Sequence, residues 1–246
     1  MKLSFVLPLV TLATLGHPSF AEEASPAMNP IRVVFAGDSI TGYSDLSKYL
    51  KFSHIVDCML EARLGPGRAV VLNRGKGGDS TADLLKRFQA DILDAKPDIA
   101  VLLIGGNDAG VKLPRETTAA NLDRILTELK VVCPRVLLLQ YHVLPWPDCP
   151  EKAWSHLDDN NDLIAAAAAK HDCPVLNMAP IMQAAVDDTV AAGETDFRRL
   201  TAWQGVARYR TCELVGTDGV HLMFGGELVY ARAVFAKLVD LKWIGP

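Results

Sequence analysis

Ile31-Arg32-Val33-Val34-Phe35-Ala36-Gly37-Asp38-Ser39-Ile40-Thr41 is the stretch on which the reading of the fold turns. Ile31 to Ala36 is apolar apart from Arg32, without polar alternation, and stops at Gly37. That is the pattern of a short strand buried on both faces. The polar Asp38-Ser39 pair follows where the chain must leave the strand.

Outward from this stretch the pattern alternates. A helix is expected from Leu46 to Leu64, closed by Gly65-Pro66-Gly67. Ala69 to Leu72 reads as a second strand. Ser80 to Asp94 has the helical spacing Leu84, Leu85, Phe88, Ile92, with Pro97 after its end. Ile99 to Ile104 is the third strand, and Pro114 opens a helix running to about Val132. Val136 to Tyr141 is the fourth strand, followed by a helix from Ala153 to Lys170. Val175 to Asn177 is the fifth, and helices are expected at Ile181 to Ala192 and Glu227 to Leu241. Glu194 to Leu214 has no clear period and reads as an insertion. Near-continuous apolar strands separated by helices imply an α/β domain with a parallel sheet covered on both faces.

In such a sheet the working site lies beyond the carboxyl ends of the strands. Four segments fall there or just ahead of the last helix: Gly37-Asp38-Ser39-Ile40-Thr41, Asn73 to Thr81 with its glycine cluster, Gly105-Gly106-Asn107-Asp108, and Thr217-Asp218-Gly219-Val220-His221. Acyl transfer needs a nucleophile, a base in the right tautomer, and donors for the developing oxyanion. Ser39 can be the nucleophile and His221 the base. Asp218, three residues away, can orient the imidazole. The glycines before the Ser80 helix expose backbone N–H groups, and Asn107 can add an amide. Each feature alone is more commonly a turn, a cap or a core histidine. Their coincidence at one sheet edge, in distinct roles, favours catalysis.

Taken together and in this order, GDSIT, the Gly78 segment, GGND and DGVH resemble the four blocks of the SGNH (GDSL-type) hydrolases, over about Ile31 to Lys242. The resemblance implies a flavodoxin-like three-layer sandwich with a five-stranded parallel sheet ordered 2-1-3-4-5. It implies catalysis by Ser39, Asp218 and His221, with the Ser39 N–H, the Gly78 N–H and the Asn107 amide as oxyanion hole. Gly75 and Gly77 crowd the second block. Gly78 is chosen because Gly78-Asp79-Ser80-Thr81 resembles the family's Gly-Asp-Thr run. Asp38 and Asp108 are expected to hold loops through backbone hydrogen bonds and not to bond the His221 ring. No cofactor and no metal is expected.

Other readings fare worse. Thr41 stands where a G-x-S-x-G elbow needs its second glycine. Lys76 is not followed by Ser or Thr, so there is no P-loop, and the run from Gly75 to Ser80 departs from G-x-G-x-x-G. A metal-dependent phosphoesterase would need Asp38, Asn107, Asp108, His142 and His221 as ligands, yet no Asp-x-His follows the first strand. A non-catalytic glycan-binding module would not need the full catalytic set. An acyltransferase would use the same residues.

Half of the residues are hydrophobic and 22% are charged, a balance suited to one globular domain. The formal net charge of -4, with no Lys/Arg-rich block, leaves nucleic-acid binding without support. Lys2, the apolar Leu3 to Leu15, and Ser19-Phe20-Ala21 read as a secretory signal cleaved after Ala21. Residues 22–30 would be a linker and 31–246 the hydrolase domain, exported to a periplasm or secreted. The apolar run is too short for a membrane span and has no Cys at its end for lipid attachment. The expected substrate is a small-molecule or glycan ester. Exported members of the family often remove acetyl groups from carbohydrates, so short acyl esters are the favoured class. Tyr43, His142 and Trp146 are the expected substrate contacts, with Val111 nearby.

Five cysteines and no C-x-x-C argue against a redox motif or zinc ribbon. Cys133-Pro134 and Cys173-Pro174 both precede a strand. A disulfide between them is expected if strands four and five start side by side, with Cys149–Cys212 a weaker second bridge. Cys58 would be a buried free thiol.

Overall fold

The computed structural model of the chain describes residues 29–42, 48–142, 159–191, 214–215 and 220–245. Tyr43, Trp146, Asp218, Cys149, Cys212, the signal segment and nearly all of the 194–214 insertion lie outside the described residues.

The strands are β1 (Ile31–Gly37), β2 (Ala69–Gly75), β3 (Ile99–Leu103), β4 (Arg135–Gln140) and β5 (Val175–Asn177). All neighbours are parallel, in the order β2-β1-β3-β4-β5. Val33 to Ala36 of β1 and all of β3 are buried, which is why neither strand alternates in polarity. The helices are α1 (Phe52–Leu64), α2 (Thr81–Phe88), the short α3 (Gly106–Gly110), α4 (Arg115–Val132), α5 (Asn161–Lys170), α6 (Met178–Ala191) and α7 (Phe224–Asp240). They pack as two sets, α1 with α6 and α7, and α2 with α4 and α5, one against each face of the sheet. The expected three-layer α/β sandwich is therefore present.

Element boundaries differ where local chemistry intervenes. The expected helix from Leu46 begins at Phe52, because Lys51 is extended (φ -71°, ψ 143°). The helix expected to Asp94 closes with a π turn at Gln89–Leu93, which keeps Leu84, Phe88 and Ile92 all in the core. α7 starts at Phe224, ahead of the expected Glu227. The paired glycines hide that start: a Cβ on Gly226 would lie 2.0 Å from the Leu214 carbonyl oxygen, so glycine is there for close packing.

The expected Cys133–Cys173 disulfide is absent, and the sheet register explains it. Val175 pairs with Leu138, so Cys173 comes level with Val136, three residues along from Cys133. At roughly 3.3 Å per residue the two are about 10 Å out of step, beyond what a disulfide spans. Each thiol instead donates within its own turn, Cys133 to the Arg135 carbonyl at 3.4 Å and Cys173 to the His171 carbonyl at 3.6 Å. Cys58 is a free thiol, as expected, but exposed rather than buried.

Candidate active site

The buried β1 delivers Ser39 to the edge of the sheet. Asp38 donates its N–H to the Leu103 carbonyl at 3.3 Å and accepts the Gly42 N–H on its own carbonyl at 2.7 Å. Its side-chain Oδ1 accepts the Ile40 N–H at 3.0 Å. These bonds fold the segment tightly around Ser39, which stays half-exposed between buried Asp38 and Ile40.

His221 arrives from the other end of the chain. Its neighbours Val220 and Leu222 are buried. Leu222 forms an antiparallel bridge with Val215, and the Met223 N–H donates to the Leu214 carbonyl at 3.0 Å. The imidazole Nε2 thereby lies 2.8 Å from Ser39 Oγ. If the hydroxyl donates, Nε2 is the unprotonated nitrogen and Nδ1 carries the proton, the tautomer a carboxylate on the far side would select.

The second block passes beside the serine. The Lys76 N–H donates to the Gly37 carbonyl at 2.9 Å, and a Cβ added to Gly77 would lie 3.8 Å from Ser39 Cβ. The Asp79 N–H closes a turn on the Lys76 carbonyl at 3.2 Å, with Gly78 at φ +79° in its third position. That geometry demands glycine. Asn107, in the first turn of α3, donates from Nδ2 to the Asp79 carbonyl at 3.1 Å. An amide has two such hydrogens, so the bond aims the group and uses one of them.

Around this lies a buried supporting layer. Asp108 accepts from the Thr81 N–H at 2.9 Å, from the Thr81 hydroxyl, and from the Thr118 hydroxyl at 3.1 Å, joining α3 to α2 and α4. Burial pushes its carboxyl up. Both Asp38 oxygens are engaged: Oδ1 by Ile40, and Oδ2 by the Tyr141 hydroxyl at 2.5 Å. Burial raises the Asp38 carboxyl to about 6, against the pull of the Tyr141 and Ile40 donors and the nearby His221 and Lys51 charges. Burial, together with Asp38, drives the Tyr141 hydroxyl well above the usual tyrosine range, so it remains a donor.

Two supports escape a reading by motif. Arg87 donates from Nε to Asp79 Oδ2 at 2.6 Å, and from Nη1 and Nη2 to the Arg74 and Gly37 carbonyls. One guanidinium thus braces the turn that carries Gly78. The only trace of it in sequence is the helical Arg87–Asp91 pair, spaced i,i+4. The buried Lys51–Glu227 ion pair, at 2.5 Å, ties the start of α1 to the first turn of α7, just after His221.

The expected substrate contacts fare differently. His142 is a core group here, not a pocket wall: it is fully buried and its Nδ1 lies 2.5 Å from the Tyr230 hydroxyl. Val111, just past α3, is exposed near the site. Tyr43 and Trp146 are not among the described residues, and neither is Asp218. Among the described residues no group of three or more His, Cys, Asp or Glu side chains is arranged to hold a metal.

A family model described as the GDSL-like Lipase/Acylhydrolase family matches residues 35–226, most of the chain and all four site segments. The chain belongs to that family. It is a serine ester hydrolase of the GDSL type. Among solved structures it is similar to a lipase/acylhydrolase from Enterococcus faecalis, at 25% identity and TM-score 0.64, covering 86% of this chain and 96% of that one. An α/β hydrolase from the metagenome of Lake Arreo, Spain, is similar at 22% identity and TM-score 0.64, with the same coverage. An acetylxylan esterase from Geobacillus stearothermophilus shares the fold at 18% identity and TM-score 0.63, again over 86% and 96%. An uncharacterized lipoprotein, YqeF, from Bacillus subtilis is 40% identical over 81 residues, a stretch spanning 32% of each chain.

Proposed function

We propose that this GDSL hydrolase is an exported esterase that cleaves short acyl esters, acetyl esters of carbohydrates being the favoured class. In this reading Ser39 is the nucleophile, His221 the base and Asp218 its orienter. Ser39 Oγ attacks the acyl carbon and passes its proton to His221 Nε2. The carbonyl oxygen becomes an oxyanion that accepts from the Ser39 N–H, the Gly78 N–H and the Asn107 amide. Collapse expels the alcohol, which takes the proton from His221. Water then repeats the sequence on the acyl-serine and releases the acid.

The observation that carries the reading is the 2.8 Å contact between Ser39 Oγ and His221 Nε2, made by residues 182 positions apart. The acetylxylan esterase among the structural relatives supports the carbohydrate preference. The signal-like N-terminus supports export. A metal-dependent mechanism is disfavoured by the partners of its would-be ligands, since Asp38 and Asp108 spend their oxygens on buried donors. The test is a panel of p-nitrophenyl esters of increasing chain length beside acetylated polysaccharides, with acetate release followed. Turnover highest on acetyl esters, insensitive to EDTA, is expected. Preference for long chains would overturn the substrate class, and strong EDTA inhibition would favour a metal.

A further inference from the structure

Behind the site runs a hydrogen-bonded path, buried at Asp38, Tyr141 and Asn160 and half-buried at Asn161, whose members beyond Asp38 and Gly105 lie outside the four sequence blocks. Tyr141 follows β4, and its hydroxyl donates to Asp38 Oδ2 at 2.5 Å. Its main chain is held at two points by one side chain: the Tyr141 N–H donates to Asn161 Oδ1 at 2.8 Å, and Asn161 Nδ2 donates to the Tyr141 carbonyl at 3.0 Å. Gln140 adds a bond from Nε2 to the Asn161 carbonyl at 2.8 Å. The preceding residue, Asn160, is buried and sends its Nδ2 elsewhere, to the Gly105 carbonyl at 2.7 Å, two residues before Asn107. Arg115 fixes this start of α5 through the Asp159 carbonyl, Asn160 Oδ1 and Asp162.

We infer that Tyr141 and the Asn160-Asn161 pair are positioning residues that set Ser39 and Asn107 at a fixed separation. Asn161 acts through Tyr141 and Asp38 on the serine loop, and Asn160 acts through Gly105 on the loop of the amide donor. The inference rests on the reading of Ser39 as nucleophile and Asn107 as oxyanion donor. Its physical basis is the steep distance dependence of both roles: attack and oxyanion stabilisation need atoms set to a fraction of an ångström, and side chains on loops reach that only when second partners hold them. A two-point amide clamp on a strand end, passed on by a hydroxyl-to-carboxylate bond, supplies such a hold. Adjacent asparagines at the start of α5, Asn160 just ahead of the helix and Asn161 its first residue, couple the two loops.

Tyr141→Phe removes one hydroxyl and keeps the ring packing. On p-nitrophenyl acetate its kcat should fall about tenfold or more with KM within about twofold of wild type, the mark of misplacement and not lost binding. Asn161→Ala should do the same, and the double variant should be no slower than Tyr141→Phe alone, because both act through one path. Thermal melts and circular dichroism establish that each variant is folded, and if Tyr141→Phe does not fold, Asn161→Ala decides. A folded variant with wild-type kcat, a loss confined to KM, or losses that multiply in the double variant would overturn the inference. Ser39→Ala run alongside separates the two failures: residual turnover there would sink the nucleophile assignment itself, whereas an inert Ser39→Ala beside a fully active Tyr141→Phe would sink only the positioning role.

Discussion

Asn107 and Asp38 differ in what a single side chain contributes. Asn107 has an amide aimed by one bond to the Asp79 carbonyl, and its proposed role is to stabilise negative charge. Asn107→Ala should lower kcat on the order of a hundredfold or more, the range for losing one oxyanion donor, with little change in melting temperature. Asp38 is a stability matter that pH exposes. Its carboxyl sits at about 6 in the fold against an ordinary 3.8, because burial favours the neutral form. Its stabilising contribution is therefore complete below about pH 4 and lost as pH rises through about 6. The loss amounts to roughly 3 kcal/mol across that window. Asp38→Asn cannot titrate. Unfolding in urea from pH 4 to 7 should show wild-type stability declining relative to this variant, and parallel curves would contradict the assignment. The motifs of the sequence point to Ser39, Gly78, Asn107 and His221, and the fold brings the His221 ring to Ser39 and the Asn107 amide to the turn that carries Gly78. His142 was misread because a polar residue after a strand looks like a pocket wall, while its bond to Tyr230 joins residues far apart in sequence. Arg87 and Asn160 escape a reading by motif because their bonds to Asp79 and to the Arg74, Gly37 and Gly105 carbonyls are set by the fold and encoded by no motif.

Among the elements, β1, β3 and β4 were readable because burial on both faces leaves little but apolar residues, whereas the edge strands β2 and β5 are only partly buried and are marked by short apolar runs between helices. The starts of α2 and α4 were legible from Ser80 and Pro114, but that of α1 was not, because it depends on a tertiary partner. α1 begins at Phe52, where the buried Glu227 carboxylate accepts the Phe52 N–H at 2.7 Å and also bonds Lys51. α6 begins at Met178, with Asn177 Oδ1 accepting the Ala179 N–H at 3.0 Å and Pro180 tolerated in the first turn. The Lys51–Glu227 pair is the main polar tie between α1 and α7. Lys51→Met would strand a buried carboxylate and should destabilise the protein by about 3–5 kcal/mol. Lys51→Met with Glu227→Leu should recover much of that loss. Denaturant melts of the single and double variants check this, and a single variant as stable as wild type would show the pair to be dispensable.

For the molecule as a whole, sheet order followed from the family resemblance, but register did not, and register is what separates Cys133 from Cys173. Strands four and five are neighbours as expected, yet the three-residue offset keeps their cysteines apart. Thiol titration of denatured, alkylation-mapped protein should find Cys133 and Cys173 reduced, and a Cys133–Cys173 peptide in non-reducing maps would contradict the observed register. The same sheet brings Ser39, at the end of the first strand, to His221, just ahead of the last helix. The proposed chemistry depends on that juxtaposition, and acetate release from acetylated substrates by purified Ser39→Ala and His221→Ala beside wild type tests it. Both variants should be folded, with unchanged melting profiles, and should lose nearly all turnover. A folded Ser39→Ala enzyme that still releases acetate at the wild-type rate would contradict the account.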